Sequence, residues 1–121
     1  MPATPATPAT PSGLKLAKLC RAFTDDKKAL DPVILDLRKV SSVADYFVIC
    51  SAESEPQLKA IANGLEKALK DDHDLRPQAV DGHPQSQWIV VDYGDVMVHI
   101  FHTASRARYN LEALWRDAPK A

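Results

Sequence analysis

Apolar residues recur with the period of an α-helix in two segments of the chain. In LKLAKLCRAFTDDKKAL, residues 14–30, they occupy positions 16, 19, 20 and 23, which is the i, i+3, i+4, i+7 pattern. In SEPQLKAIANGLEKALKDD, residues 54–72, Ser54 and Gln57 predict a capping box, and Pro56 is tolerated in the first turn. The second segment carries one apolar stripe: Leu58, Ile61, Ala62, Leu65, Ala68 and Leu69. Both helices are therefore predicted to pack on a sheet.

The remaining apolar runs have the length and composition of strands. DPVILDLRKV (31–40) and YFVICSA (46–52) predict two buried strands, and a short strand is predicted at 78–80. WIVVDYGDVMVHIF (88–101) predicts a β-hairpin, and SRARYNLEALWRD (105–117) a last helix capped by Thr103 or Ser105 that ends before Pro119. The order α-β-β-α-β-β-β-α predicts a two-layer α/β domain with a mixed five-stranded sheet.

The predicted hairpin has two apolar faces, because alternate residues of a strand point to opposite sides. With Tyr93 and Gly94 as the turn, Asp92 pairs with Asp95, Val91 with Val96 and Ile89 with Val98. A glycine bulge at the turn is the alternative, and it would change this pairing but not the faces within each strand. One face, here called the aliphatic face, contains Ile89, Val91, Val96, Val98 and Ile100. The other, here called the mixed face, contains Trp88, Val90, Asp92, Asp95, Met97, His99 and Phe101. The aliphatic face is predicted to be the core, covered by the two longer helices.

The mixed face permits two interpretations. Exposed Trp, Met, Phe and His side chains form the composition enriched at protein–protein contacts, so this face is predicted to be exposed and to bind a partner. Alternatively, the last helix packs over it and makes Trp88 and Phe101 a second small core. In that helix, Arg106, Arg108 and Arg116 are predicted to be solvated. Tyr109 and Trp115 suit core packing and partner contact equally.

Composition narrows the class of protein. Residues 1–13 form a Pro/Ala/Thr tail that lacks charge and large apolar side chains beyond Met1, so it is predicted to be disordered, with a single domain over 14–118. A formal net charge of −1 gives no electrostatic argument for DNA binding. No run approaches the ~20 apolar residues that span a membrane. Cys20 and Cys50 lie in apolar runs and are predicted to be buried free thiols of a cytoplasmic protein.

The side chains that could form a catalytic or metal site lie mainly in the hairpin. Asp92, Asp95 and His99 could hold a divalent cation in a nucleotidyl-transfer site, but the chain has no Gly-rich phosphate loop to accompany them. Aspartate is also favoured at tight turns, where it bonds the local backbone. Cys50 is an unsuitable nucleophile in a hydrophobic strand, which raises a thiol pKa. No catalytic constellation, cofactor site or metal site is predicted.

Two motifs carry a resemblance to a known family. WIVVDYGDVMVHIF followed by SRARYNLEALW resembles the signature hairpin and helix of the ribosomal silencing factor S family, also called Iojap-like. Upstream, DLRKVSSVADYFVICSAES is similar to the strand, Ser-Ser, Asp and second-strand segment of that family, and Asp81-Gly82 stands where Glu-Gly is usual. The resemblance spans residues 14–115.

The resemblance implies a domain distantly nucleotidyltransferase-like in fold, but not an enzyme. It implies binding to ribosomal protein L-fourteen of the large subunit, a steric block to joining of the small subunit, and lower translation under nutrient limitation. It also implies a dimer when free, without cofactor. By position, the partner contacts would come from Trp88, Asp92, Gly94, Asp95 and His99, with Tyr109 and Trp115. The mixed face would add Val90, Met97 and Phe101.

Overall fold

The computed structural model describes residues 11–83, 85 and 87–121, and it confirms the predicted order of elements. The first ten residues of the predicted tail lie outside the described residues. The elements are α1 (Gly13–Asp26), β1 (Leu30–Asp36), β2 (Tyr46–Ala52), α2 (Glu55–His73), β3 (Ala79–His83), β4 (Trp88–Asp92), β5 (Val96–His102), α3 (Thr103–Tyr109) and α4 (Leu111–Leu114).

Within the described residues the strands form one five-stranded sheet in the order β1-β2-β5-β4-β3. The central pair, β2 and β5, is parallel, and the other three pairs are antiparallel. The predicted mixed sheet is therefore confirmed. β5, the last strand in the chain, lies at the middle of the sheet, so both cores depend on it.

The aliphatic face of the hairpin is the main core, as predicted. Ile89, Val91, Val96, Val98 and Ile100 are all buried in one cluster with residues of α1 and α2. Leu16 and Cys20 of α1 and Leu58 and Leu65 of α2 are almost fully buried against the sheet. The two long helices thus cover one side of the sheet except toward the β3 edge, where Val80 is 44% exposed, and the short C-terminal elements pack on the other side.

The N-terminus of α2 is capped much as the sequence predicts. The Ser54 Oγ accepts a hydrogen bond of 3.2 Å from the Gln57 backbone N–H. The reciprocal bond of a capping box differs, because the Gln57 side-chain oxygen accepts from the N–H of Glu53 (2.9 Å) rather than from Ser54. The Gln57 amide also donates to the Lys28 carbonyl at 3.0 Å, which ties α2 to the α1–β1 loop.

The hairpin has a different register from the one predicted. Val91 pairs with Val98 and Ile89 with Ile100, because the two turn residues are Gly94 and Asp95, closed by a 2.9 Å bond from Tyr93 N–H to the Val96 carbonyl. Gly94 has φ of 93°, and glycine at the first central position is favoured in such turns. The shift is two residues, an even number, so both faces keep their predicted members except Asp95, which becomes a turn residue whose carboxylate bonds to the start of α1.

The predicted last helix is broken into α3 and α4. Asn110 has φ of 48°, and its backbone N–H closes the end of α3 on the Arg106 carbonyl at 2.8 Å. Its side-chain oxygen then accepts from Ala113 N–H at 3.3 Å and starts α4. The predicted caps Thr103 and Ser105 are wrong, because His102 Nδ1 caps α3 by accepting from Ala104 N–H at 3.3 Å.

Candidate docking surface on the sheet

Part of the mixed face is covered, which corrects the expectation of a bare sheet. His99 is 5% exposed and Phe101 is fully buried. His99 packs against Phe47 and Phe101, and Phe101 lies in a second core, distinct from the first, that receives side chains from residues 110–121, here called the C-terminal segment. This second core buries Leu35, Leu37, Ala44, Phe47, Ile49, Phe101 and Ala118, with Trp88, Met97, Leu111 and Trp115 packed against it. The alternative interpretation of the sequence, a second small core, is therefore correct for this part.

The C-terminal segment is attached at the free edge of β1. The Asp36 N–H donates to the Pro119 carbonyl at 2.8 Å, and the Ala121 N–H donates to the Ile34 carbonyl at 3.0 Å. Leu35 and Lys120 pair between these two bonds. Further along, Trp115 makes an edge-to-face contact with Phe47, with ring centroids 6.0 Å apart. Trp115 is thus a half-buried residue on the β2 side of the mixed face.

His99 is the chemically unusual residue of the mixed face. Its Nδ1 accepts a 3.1 Å hydrogen bond from the Trp88 indole N–H, so the proton of the neutral imidazole is on Nε2. Nε2 is buried and has no hydrogen-bond partner among the described residues. Burial lowers the pKa of His99 to about 4, so the ring is neutral at pH 7. The Phe47 ring packs against it, with centroids 4.4 Å apart.

Aromatic rings continue from the covered part of the mixed face to the surface. Trp88 stacks on Phe101 with centroids 4.8 Å apart and contacts Tyr109 of α3 at 4.9 Å. Tyr109 is 50% exposed. The Arg108 guanidinium lies 5.4 Å from the centre of the Tyr109 ring. Tyr109 and Trp115 therefore belong to different sides of the mixed face, with Tyr109 nearer to the solvent.

An uncovered part of the mixed face remains toward the β3 edge. Asp92 and Val90 are half-buried there, and their antiparallel partners on β3 are Ala79 and Asp81, both exposed. Residues that pair across strands share a face, so β3 extends the mixed face. We call this surface the open patch: Ala79, Asp81, Trp88, Val90, Asp92 and Tyr109. Sequence reasoning missed Ala79 and Asp81, which only the register of β3 on β4 could have found.

The two hairpin aspartates have structural partners. The Asp92 carboxylate accepts from the Gly94 N–H at 2.7 Å, which confirms its predicted role as a turn residue. The Asp95 carboxylate accepts from the Gly13 N–H at 2.5 Å, at the start of α1. The Asp95 backbone carbonyl also accepts from Asp45 and Tyr46 N–H groups at 2.8 and 3.0 Å. Among the described residues no group of three or more His, Cys, Asp or Glu side chains is arranged to hold a metal ion.

Arg106 is not solvated, contrary to the sequence prediction. Its side chain is only 13% exposed and forms an ion pair with Glu112 of α4, Nε to Oε1 at 2.9 Å. Its Nη1 donates to the Leu30 carbonyl at 3.1 Å and to Ser51 Oγ at 3.0 Å. Arg106 therefore joins α3 to β1, β2 and α4. Arg108 and Arg116 are exposed, as predicted.

The two cysteines are buried free thiols, as predicted. Burial raises the pKa of each to about 12, so neither thiol is ionised at neutral pH. Among the described residues, no helix combines the length and the apolar character that crossing a bilayer requires.

Comparisons with a family model and with curated proteins agree on one family. The family model described as "Ribosomal silencing factor during starvation" matches residues 10–121. The ribosomal silencing factor RsfS of Bacillus subtilis is 43% identical over 106 residues, which cover 88% of this chain and 89% of that protein. The protein of the same name from Halalkalibacterium halodurans is 43% identical over 108 residues, 89% of this chain and 92% of that protein. The chloroplastic protein Iojap of Zea mays is 34% identical over 91 residues, 75% of this chain and 39% of the maize protein.

Solved structures share the fold. A crystal structure of a Chromobacterium violaceum protein matches with a TM-score of 0.81 and 32% identity, covering 87% of each chain. A crystal structure from Bacillus halodurans matches with a TM-score of 0.75 and 40% identity, covering 88% of this chain and 95% of that one. The mixed sheet and its helices are thus an arrangement that related sequences also adopt.

Proposed function

The chain belongs to the ribosomal silencing factor family, and on that premise we propose that it binds ribosomal protein L-fourteen of the large ribosomal subunit. Bound there, in the cytoplasm, it blocks joining of the small subunit by occupying the surface between the two subunits. Translation is thereby lowered when nutrients are limiting. The mechanism is steric, so it needs no metal, cofactor or turnover.

The observation that supports this proposal is the composition of the open patch. Trp88 and Tyr109 supply large aromatic rings that are partly exposed and held by packing on Phe101. Aromatic residues of this kind carry much of the binding energy at protein interfaces. Beside them, the Asp81 and Asp92 side chains bring carboxylates to the same face. A surface with aromatic anchors and acidic neighbours complements a basic ribosomal protein.

Cosedimentation with isolated large subunits tests the proposal. Tyr109→Ala removes an exposed anchor and is expected to weaken binding at least tenfold, because truncation of a hot-spot aromatic costs ~2 kcal/mol or more. Leu14→Ala is the matched control, since Leu14 is a similarly accessible apolar residue (37% exposed) on α1, across the sheet from the open patch. Binding by the control but not by Tyr109→Ala supports the docking surface. Equal binding by both contradicts it.

The block to subunit joining has its own readout. Adding the wild-type protein to a mixture of large and small subunits is expected to reduce the fraction of joined ribosomes in proportion to occupancy of the large subunit. Tyr109→Ala is expected to need at least ten times more protein for the same effect. Full binding without any loss of joined ribosomes would remove the steric mechanism.

A nucleotidyltransferase activity based on Asp92 and Asp95 has less support. Both carboxylates already accept backbone hydrogen bonds, from Gly94 and Gly13. A nucleotide site would raise the unfolding temperature when loaded with ligand. We expect no such shift with Mg²⁺ and nucleotide at millimolar concentration.

The proposed ribosomal silencing factor is also proposed to be a dimer when free. Mass measurement over a concentration series tests this.

A further inference from the structure

The covered part of the mixed face has the composition of an interface but lies inside the protein. Phe47, His99 and Phe101 continue the aromatic surface that begins with Trp88 in the open patch. Besides Trp88 and Tyr109, the C-terminal segment packs against Phe47 and Phe101, and neither of the two long helices does so. The properties of that cover therefore decide how large the docking surface can become.

The C-terminal segment buries fewer apolar side chains than the other cover of the sheet, so it is held mainly by the Arg106–Glu112 ion pair and by backbone hydrogen bonds to β1. α1 and α2 bury rows of side chains completely, such as Leu16, Leu58 and Leu65. In the C-terminal segment Ala118 is the buried apolar side chain, Leu111 and Trp115 are half-buried, and Leu114 is 70% exposed. Its helix, α4, is a single turn of 4 residues. Elements with few buried apolar contacts open at the lowest free energy.

The covered state also contains a buried donor that lacks a partner within the part of the chain that the structure describes. The His99 Nε2–H is buried and meets no acceptor among the described residues. A buried donor without an acceptor raises the free energy of the covered state. A docked protein that placed a carbonyl or carboxylate oxygen at this nitrogen would remove that cost.

We propose that the C-terminal segment is a displaceable cover, and that docking on the large subunit moves it away to extend the open patch onto Phe47, His99 and Phe101. This inference rests on the proposed function. Asn110 is the pivot, because it already has a left-handed backbone (φ 48°) between α3, which stays packed, and α4, which leaves. In the covered state the segment competes with the partner, so the protein is partly autoinhibited.

A disulfide that locks the cover tests this. Leu35 and Lys120 are a non-hydrogen-bonded pair, since the bonds join Asp36 to Pro119 and Ala121 to Ile34. Such pairs have Cα atoms about 4.5 Å apart, within the range of disulfides. The double variant Leu35→Cys, Lys120→Cys is compared in its oxidised and reduced forms, so the lost leucine is common to both. The native cysteines are buried and stay reduced.

The locked, oxidised form is expected to bind isolated large subunits at least tenfold more weakly than the reduced form. Equal binding by the two forms would overturn the displaceable cover while leaving the proposed function intact. Failure of wild-type protein to bind at all would instead overturn the proposed function. The two failures are therefore distinguishable in one experiment.

Hydrogen exchange on the unmodified protein decides the matter if the variant does not fold or does not crosslink. The Asp36 amide is bonded to the C-terminal segment and should exchange at least tenfold faster in the complex than in the free protein, as should the amides of 111–121. Amides of the hairpin, 88–101, should exchange more slowly. Slower or unchanged exchange at Asp36 in the complex would show that the cover stays closed.

Discussion

At the scale of single residues, His99 differs most from what its residue type suggests. The imidazole is enclosed by Phe47 and Phe101 and accepts a hydrogen bond from Trp88. Because solvent is kept from the ring, its charged form is disfavoured and its pKa falls to about 4. The sequence predicted an accessible histidine at this position. It could not show otherwise, because an exposed interface and an aromatic second core have the same composition.

The low pKa of His99 predicts that the fold weakens in mild acid. The unfolded chain takes up a proton at this histidine near pH 6.5, whereas the folded chain does so only near pH 4. Between these values the unfolded state binds more protons, so stability is full above pH 6.5 and is lost as the pH falls toward 4. At pH 5 the free energy of unfolding is lower by about 2 kcal/mol, because pH 5 lies about 1.5 units below 6.5 and each unit costs ~1.4 kcal/mol. Denaturant unfolding at pH 7.5 and pH 5 measures it.

Two variants separate His99 from other acid-sensitive groups. His99→Gln keeps a side-chain acceptor for Trp88 but does not titrate, so about 2 kcal/mol of the pH dependence should vanish. His73→Gln removes a histidine at the end of α2 and should keep the wild-type dependence. A wild-type dependence in His99→Gln would show that His99 is not the responsible group.

At the scale of elements, the hairpin turn also holds the start of α1. The Asp95 carboxylate accepts from the Gly13 N–H, and its charge lies at the positive end of the α1 dipole. A helix terminus and a strand turn that are 82 positions apart in the chain are thus joined by one side chain. No local signal in the sequence indicates this pairing, because it depends on how the helices pack on the sheet.

Asp95→Ala is therefore expected to lower the free energy of unfolding by about 1–2 kcal/mol, through loss of a charged cap and its dipole interaction. Asp45→Ala, next to the same turn, changes an exposed aspartate and should cost less than about 0.5 kcal/mol. Chemical denaturation of the two variants measures both values. A loss in Asp95→Ala as small as that of Asp45→Ala would contradict the role given to Asp95.

Hydrophobic periodicity predicted most helices and strands correctly but missed the hairpin register and the break in the last helix. The stripe of α2 and the parity of β4 and β5 located the main core, because burial on one face imposes a period. The register of the hairpin was wrong by two residues, and parity cannot detect an even shift. The break at Asn110 was also missed, since Arg106 to Trp115 has a continuous helical pattern and asparagine reveals a left-handed turn only in its tertiary context.

At the scale of the whole molecule, Arg106 connects the C-terminal elements to the sheet. Its guanidinium bonds to the Leu30 carbonyl, the Ser51 hydroxyl and the Glu112 carboxylate. The sequence placed Arg106 on a solvated face, since arginines at a helix surface are usually exposed. The docking surface was likewise only partly predictable. Its hairpin residues followed from composition, whereas Ala79 and Asp81 could be assigned only from the strand order of the sheet. The cover could be assigned only from the path of residues 110–121.

Arg106→Met is expected to destabilise the protein by about 2–3 kcal/mol, because three partly buried acceptors lose a charged donor while the aliphatic volume is kept. Arg108→Met on the same helix loses only an exposed cation–π contact with Tyr109 and should cost about 0.5 kcal/mol. Thermal and denaturant unfolding of both variants provide the comparison. Similar losses would mean that Arg106 does not hold the layers together.

The central position of β5 has a consequence for synthesis of the protein. β2 is made early, but its parallel neighbour Val96–His102 is made only after α2, β3 and β4, and the free edge of β1 is completed by residues 119–121. Neither core can close before β5 has been made, because Val98 and Ile100 belong to the main core and Phe101 to the second. The main core therefore forms late in synthesis, after residue 100 has been added, and the second core forms later still because it includes Ala118.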